Sequence, residues 1–277
     1  MIYLRNFKNT TLFLLMLMVL PCRIAAQECT SSNETFKSGE EITYIISYDW
    51  FVIWTEVGEL TVSITDTSYN GNPAYKYYGL GETYKSWNWI FKVKDEFQTV
   101  VDKETLKPYS SSRKIRENNY RKYDDYYYNF DESVAYAHVS KDNKTFKIDT
   151  LPIDGCTFDI MSALLYARNI DFTQYEVGDT IPLTIILDKE SFPIYFRYLG
   201  IEDYKLKHVG TFECIKFKVM LIEGEMFHEG EDMVVWATND KNRIVVYATS
   251  PILVGSVKAK IKKIRNNRFP LTSLKRK

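Results

Sequence analysis

The feature that most constrains this chain is the alternation of apolar and polar residues along many short segments. In residues 42–50 apolar and aromatic side chains occupy every second position, and residues 59–65 repeat the alternation. This period of two is typical of a strand with one buried face. The sequence NGNP at 70–73 then gives a turn signal, and such signals recur about every 8 to 12 residues, which favours an antiparallel meander.

The predicted strands cover most of the chain after residue 41. They occupy residues 42–50, 59–65, 74–80, 96–101, 109–116, 123–130, 134–140, 145–148, 180–187, 192–199, 204–209, 211–222, 232–238, 244–249 and 258–261. Aromatic residues make up 15% of the chain and include 21 tyrosines, a composition that suits half-buried strand surfaces.

One segment departs from the strand pattern. Between Thr157 and Asn169 the apolar residues follow helical spacing, and Asp154 or Thr157 can cap the amino-terminal amides. We expect this to be the main long helix, packed against the sheet through four residues. These are Phe158, Met161, Leu164 and Leu165. The predicted fold class is therefore mainly β, an antiparallel meander forming a curved sheet or half-barrel with one main helix packed on or in it.

The first 26 residues have the pattern of a cleaved signal peptide. Arg5 and Lys8 precede the apolar run Leu12–Leu20, and Ala26 supplies the small residue at the cleavage point. The run is too short for a membrane-spanning helix, which takes roughly 20 apolar residues. We therefore expect an exported protein, periplasmic or envelope-associated, without a transmembrane segment in the mature chain. Lipid attachment at Cys22 or Cys29 is the less favoured alternative, because Pro21 and Glu28 precede these cysteines.

The remaining chain divides into two predicted parts. Residues 27–262 form a single barrel-like domain, and residues 263–277 form a basic, solvated tail. Over the whole sequence 36 Lys and Arg balance 36 Asp and Glu, which gives no electrostatic reason to expect a nucleic acid partner.

Three cysteines follow the predicted cleavage point. They are Cys29, Cys156 and Cys214, so at least one thiol is unpaired or pairs between molecules. A bridge between Cys156 and Cys214 is one interpretation, and two separately buried thiols are the favoured one.

The sequence offers few candidates for catalysis, and we predict no catalytic residue, metal or cofactor. The three histidines, His138, His208 and His228, accompany no nucleophile or metal-binding motif. Residues 228–232 have the composition of an acidic hairpin tip. Asp159 and Arg168 are explained as a capping carboxylate and a helix-end cation that pairs with the sheet.

Tryptophans form the most suggestive cluster. Trp50 and Trp54 lie in one stretch, and Trp87 and Trp89 lie in another, where Trp87, Trp89 and Phe91 would share one face of a strand. We take these four tryptophans as the candidate ligand-binding residues at the mouth of a barrel, where rings can receive an apolar chain or stack on sugars. Core packing explains the same residues, so both interpretations stand.

Several blocks of sequence carry a resemblance. GEEITY at 39–44, DKETLKP at 102–108, FDIMSALLYAR at 158–168 and VWATND at 235–240 resemble a widespread family of exported bacterial proteins of unknown function. The resemblance implies an antiparallel β-barrel or half-barrel with a helix, similar to the YmcC-like fold of envelope polysaccharide-associated lipoproteins. It brings no known catalytic residue.

The expected function is non-enzymatic binding of an apolar or amphipathic ligand, a lipid or lipid-linked glycan, in a barrel-like cavity. The alternative is a structural or interaction factor in envelope polysaccharide assembly, working with protein partners and without a small ligand. A hydrolase that uses carboxylates is the least supported interpretation.

Overall fold

The computed structural model describes residue 29 and residues 31–50, 53–141, 144–145, 148–221, 232–252 and 255–275. The predicted signal peptide, Cys22, Phe51 and residues 228–231 of the acidic hairpin tip lie outside the described residues.

The described residues form one large sheet with a helix between its two halves. The strands before the helix are β1 Glu41–Trp50, β2 Ile53–Tyr69, β3 Asn72–Thr83, β4 Lys94–Asp102, β5 Pro108–Glu117, β6 Tyr120–Asn129, β7 Val134–Lys141, β8 Lys144–Thr145, β9 Asp149–Pro152 and β10 Thr157–Phe158. Then follow the helix α1 Ile160–Asn169, a 3₁₀ turn at Phe172–Gln174, and β11 Thr180–Leu187, β12 Glu190–Leu206, β13 Gly210–Met220, β14 Asp232–Thr238, β15 Val245–Pro251, β16 Ser256–Arg265 and β17 Leu274–Lys275.

The sheet consists of two antiparallel meanders joined by the first strand. Strands β2 to β7 pair in sequence order, and so do β11 to β16. Strand β1 pairs with β2 on one side and with β16 on the other. The short β10 pairs in parallel with β11, and β8 and β9 pair with β7. The predicted fold class, a curved and mostly antiparallel sheet with one main helix, is confirmed.

Helix α1 packs inside the curve of the sheet. Met161 and Leu165 join an apolar cluster that includes residues of β1 to β4 and of β12, β13, β15 and β16, whereas Ala163 and Ala167 join a second cluster that includes residues of β11 to β14. The helix approaches β3 closely at Gly79, where an added Cβ would lie 3.1 Å from the Met161 Cε. The interior of the curved sheet is therefore occupied by the helix and its apolar neighbours.

The structure corrects the predicted limits and orientation of this helix. It begins at Ile160, and its cap is Asp159 rather than Asp154 or Thr157, because the Asp159 carboxylate accepts from the backbone N–H groups of Met161 (2.8 Å) and Ser162 (3.2 Å). Leu164 does not face the sheet and is 41% exposed. Ile160 and Leu164, four residues apart, form the exposed stripe of a helix that is otherwise largely buried.

The cysteine pairing also differs from both predicted alternatives. Cys29 forms a disulfide with Cys156, and Cys214 is a buried thiol. Cys214 lies in β13, within a predicted strand, whereas no strand or helix was predicted around Cys29. Its position depends on how the segment before β1 packs: Glu34 donates its backbone N–H to the Asn169 Oδ1 at the end of α1 (2.9 Å).

The segment predicted as a basic, solvated tail is attached to the sheet by strand pairing and polar contacts, although Lys263, Arg265, Arg268 and Lys275 are exposed. Residues 263–265 complete β16, and β17 pairs with β13. Between these strands, the Asn242 Nδ2 donates to the Phe269 carbonyl (3.0 Å), and the Ser273 hydroxyl donates to Asp240 (2.8 Å). The charge of the segment did not reveal this attachment, because the polar partners that hold it lie elsewhere in the sequence.

Candidate functional site: an aromatic rim

The predicted tryptophans lie at one end of the sheet. The β1–β2 turn, the connection between β3 and β4, and the β5–β6 turn all lie at this end, which we call the aromatic rim. The connection, residues 84–93, is here called the rim loop. It joins the β2 strand through the Tyr84 N–H, which donates to the Val57 carbonyl (2.9 Å).

The rim loop is a hydrogen-bonded turn, not the strand that the sequence suggested. The Trp87 N–H donates to the Tyr84 carbonyl (2.9 Å), and the Trp87 carbonyl accepts from the Phe91 N–H (3.0 Å). Asn88 accepts a hydrogen bond from the Thr83 hydroxyl (2.8 Å). Because the backbone turns here, the predicted alternation of Trp87, Trp89 and Phe91 on one strand face does not exist.

The turn exposes three consecutive apolar side chains. Trp89 is 82% exposed, Ile90 52% and Phe91 45%. At its far end the loop is fixed to the β5–β6 turn: the Lys92 N–H donates to the Asn118 Oδ1 (2.9 Å), and the Asn118 N–H donates to the Lys92 carbonyl (2.8 Å). An exposed apolar run on a held backbone is unusual for a surface that contacts only water.

Trp54 lies on the outer surface of the neighbouring hairpin. It is opposite Asp49 in the β1–β2 register and is 56% exposed. The Lys260 ammonium lies 5.7 Å from the centre of its ring and also pairs with Glu56 (3.2 Å). The ring therefore belongs to a charged outer surface and not to the lining of a lumen.

The other two predicted residues lie in the rim loop and at the end of β1. Trp87 is half-buried within the rim loop, and Trp50 ends β1, where its backbone pairs with Ile53. The structure thus brings all four tryptophans to the same end of the sheet. Ligand binding by these residues stays a prediction. Ile90 was not among the predicted site residues, because the assumed strand put it on the face opposite Phe91. The unbroken apolar run from Trp89 to Phe91 is itself a signal against strand alternation.

The cavity beside helix α1 is too small for a ligand. A cavity of about 30 Å³ lies beside the start of α1. Its lining residues are Phe97, Ser111, Ser112, Arg113, Tyr126, Asp159, Ile160, Met161, Ile186 and Leu187. This volume accommodates a water molecule but not an acyl chain or a sugar ring.

Two buried carboxylates lie near this cavity. Burial raises the pKa of Asp159, against the opposing effect of hydrogen bonds from Ser162 and Thr99. Burial also raises the pKa of Asp124, although the Arg113 guanidinium bound to it opposes the shift. Raised carboxyl pKa values are common in active sites. Here the adjoining cavity is too small for a substrate, so the two carboxylates serve as helix cap and ion-pair partner.

A wider cleft of about 490 Å³ opens at the opposite end of the sheet. Its cations are Lys37, Lys103 and Arg268, and its carboxylate is Asp66, which pairs with Lys103 (2.5 Å). Arg268 donates to the backbone carbonyl of Asn33 (3.1 Å). The Arg268 contact holds the segment before β1 in place, and the Lys103–Asp66 pair joins the β4–β5 turn to β2, so both have a structural explanation.

Two further observations concern the described part of the chain. No cluster of three His, Cys, Asp or Glu side chains there is placed to hold a metal ion. Nor does any helix there have the length and apolar character that crossing a membrane requires.

Comparisons with known proteins agree with the fold. A crystal structure from Brucella abortus, described as a beta-barrel-like protein of the domain of unknown function DUF1849, is similar with a TM-score of 0.53. The similarity covers 82% of this chain and 97% of that chain at 10% sequence identity, so it shows the fold alone. No curated protein matches.

The family resemblance drawn from the sequence is confirmed by a family model. Residues 43–262 match the model described as protein of unknown function DUF3108, from β1 to β16. The chain therefore belongs to the DUF3108 family.

Proposed function

We propose that the protein is an exported cell-envelope protein that binds an amphipathic molecule, a lipid or a lipid-linked glycan, at its aromatic rim. Binding takes place on the outside of the rim and involves no covalent chemistry. This differs from the binding expected from the sequence, which placed the ligand inside a barrel-like cavity.

Export is supported by two features that do not depend on each other. The first 26 residues carry the pattern of a signal peptide. The disulfide between Cys29 and Cys156 fits an oxidising compartment such as the periplasm. This bond also argues against a lipid anchor on Cys29, because a sulfur atom in a disulfide is unavailable for a thioether.

The observation that carries the proposal is the exposed run Trp89, Ile90 and Phe91 on a turn held by hydrogen bonds. Indole and phenyl rings bury large apolar areas and also stack on sugar rings, so they suit a ligand that has both an alkyl chain and a sugar. The filled interior directs the proposal to the rim, since the cavity beside α1 has a volume of only about 30 Å³.

The filled interior also favours a second candidate function. Three apolar clusters pack inside and at the edges of the curved sheet. A sheet filled in this way suits a structural or interaction factor in envelope polysaccharide assembly that binds protein partners and no small ligand.

Native mass spectrometry tests the first function against the second. We expect a lipid or glycolipid to copurify with the protein from its own envelope. We also expect the purified protein to bind dodecyl maltoside, a soluble amphiphile with an alkyl chain and a disaccharide. Because the variant Trp89→Ala/Phe91→Ala removes two exposed rings, its affinity should fall by at least about tenfold.

The matched control is Val177→Ala, which shortens a side chain that is 70% exposed outside the rim. It should bind dodecyl maltoside as the unmodified protein does. A mass free of ligand both after purification and after incubation with envelope extract would favour the second function instead.

A further inference from the structure

We propose that the rim loop docks the protein onto the surface of an anionic lipid bilayer. Trp89, Ile90 and Phe91 enter the headgroup region, and Lys85 and Lys92 contact lipid phosphates. This inference rests on the proposed function, because it names a membrane surface as the partner of the same rim.

The shape of the loop fits a flat surface better than a small molecule. Successive side chains of a strand point to opposite sides, so a strand would divide three consecutive residues between its two faces, whereas a turn can present them together. The turn from Tyr84 to Phe91 does this, and the residues that it exposes line neither of the two cavities described above. They form a projecting patch without walls to enclose a ligand.

The charges of the loop indicate which surface it fits. Residues 84–94 contain Lys85, Lys92 and Lys94 and no acidic residue. Lys94 pairs with Glu82 (2.9 Å), whereas Lys85 and Lys92 are exposed beside the apolar run. Tryptophan with flanking lysines is the composition of segments at the boundary between lipid and water, where the ring lies among headgroups and the ammonium reaches phosphate.

A protein partner is a poorer fit to the same residues. Lysine is depleted in the buried centre of protein interfaces, because its ammonium is costly to remove from water. At a bilayer surface the ammonium stays hydrated and gains attraction from anionic lipids. A bilayer therefore accommodates the apolar run and the lysines together.

The size of the patch predicts weak and reversible binding. Three partly exposed apolar side chains give modest affinity alone, and stable attachment takes a second contribution. The lysines supply that contribution only when the bilayer is negatively charged. Binding should therefore require anionic lipid and should weaken as the salt concentration rises.

Cosedimentation of the mature protein with vesicles tests the inference. The probes are vesicles of phosphatidylcholine alone and of phosphatidylcholine mixed with phosphatidylglycerol. The unmodified protein should sediment with the mixed vesicles and much less with the neutral ones. Lys85→Gln/Lys92→Gln should lower the affinity for mixed vesicles about fivefold for each lysine removed. Trp89→Ser/Ile90→Ser/Phe91→Ser should lower it by at least about tenfold.

Two control variants carry the same types of substitution at exposed positions outside the aromatic rim. Val177→Ser/Val209→Ser removes exposed apolar side chains outside the rim, and Lys205→Gln/Lys207→Gln removes exposed lysines near the opposite end of the sheet. Both should bind mixed vesicles as the unmodified protein does. All five proteins should show the same thermal unfolding, because every substituted side chain is exposed.

The outcomes separate this inference from the proposed function. Equal binding to neutral and anionic vesicles, no binding to either, or equal losses in rim and control variants would overturn the docking inference. If dodecyl maltoside or a copurified lipid still binds, the proposed function stands without it. Vesicle binding without any bound amphiphile would refute the proposed function and leave the docking surface in place.

Discussion

At the scale of single residues, the most consequential pair is the buried contact between Glu40 and Arg168. The Arg168 guanidinium donates to both carboxylate oxygens of Glu40 (2.5 and 3.2 Å) and twice to the Asn242 carbonyl (2.9 and 3.2 Å). Burial acts to lower the pKa of Arg168, but the Glu40 carboxylate together with Tyr77 and Tyr44 outweighs it, and the net shift is upward. The pair joins the end of α1 to the start of β1.

Removing one member of this pair should be costly. Glu40→Gln leaves a guanidinium buried beside a neutral amide, and Arg168→Met leaves an unpaired carboxylate, so each should lower the free energy of unfolding by about 3 to 5 kcal/mol. The double variant Glu40→Gln/Arg168→Met should lose less than the sum of the two. Urea denaturation of the four proteins measures this difference, and additive losses would show that the two charges do not interact.

At the scale of elements, the cap of α1 carries an ionisable group at a buried position. The Asp159 carboxylate accepts from two backbone N–H groups and from the hydroxyls of Thr99 (2.9 Å) and Ser162 (2.7 Å). Burial nonetheless raises its pKa above the ordinary 3.8. The ionised form is therefore less favourable in the folded than in the unfolded chain.

This shift predicts how stability depends on pH. A carboxyl group with a raised pKa contributes stability that is fully present below 3.8 and is lost as the pH rises through its folded pKa. Asp159→Asn keeps an amide oxygen for the helix N–H groups and removes the charge, so it should match the unmodified protein in acid and exceed its stability at neutral pH. Asp159→Ala loses the cap and should cost about 1 kcal/mol in acid. Its cost should be smaller at neutral pH, where the ionised carboxylate already lowers the stability of the unmodified protein. Chemical denaturation across this range provides the measurement, and equal slopes for Asp159→Asn and the unmodified protein would contradict the expectation.

The sequence predicted the strands well and the helix less well, for a physical reason. A period of two shows directly which strand face is buried, as in residues 59–65 within β2. In α1 nearly the whole circumference is buried, so apolar spacing could not show that Leu164 faces outward. The cap at Asp159 was recognised as a capping carboxylate, but Thr157 and Asp154 form a similar hydrogen-bonded turn just before it (2.8 Å).

The rim was predicted in part. The sequence selected Trp54 and Trp89, and both are exposed at the same end of the sheet. It assumed strand geometry for residues 86–91, because aromatic residues favour strands. The turn depends on hydrogen bonds to Thr83 and to Asn118, the second of which lies on another hairpin, so local pattern could not reveal it.

At the scale of the whole molecule, the two outer edges of the sheet meet through side chains. Asp188, after β11, pairs with Arg113 of β5 and Lys122 of β6, and the Lys189 N–H donates to the Tyr126 hydroxyl (3.0 Å). Beneath these contacts Ile186 is 1% exposed and packs in the cluster that includes residues of β6 and β7. We call this contact zone the seam.

The apolar part of the seam should contribute more stability than the ionic part. Ile186→Ala leaves a cavity and should cost about 2 to 5 kcal/mol. Asp188 is half exposed, so Asp188→Asn should cost no more than about 1 kcal/mol. Ile201→Ala, at a side chain that is 55% exposed, is the control. Urea denaturation gives the costs, and hydrogen exchange of the β11 amides should accelerate most in Ile186→Ala. A larger loss of unfolding free energy in Asp188→Asn than in Ile186→Ala would show that the ionic part of the seam contributes more stability than the apolar part.

The register of β1 has a consequence for the order of events during folding. Its partner β2 follows it at once, but its other partner β16 pairs Arg265 with Glu41, 224 residues away. Because the chain emerges with its amino terminus first, β1 forms early but gains its second neighbour only when β16 arrives. Until then it is an open edge, and edges of this kind attract other unfinished chains. Long-range pairing of this kind is also slow to form. The time between the arrival of β2 and that of β16 is therefore the period in which this protein most needs protection from aggregation.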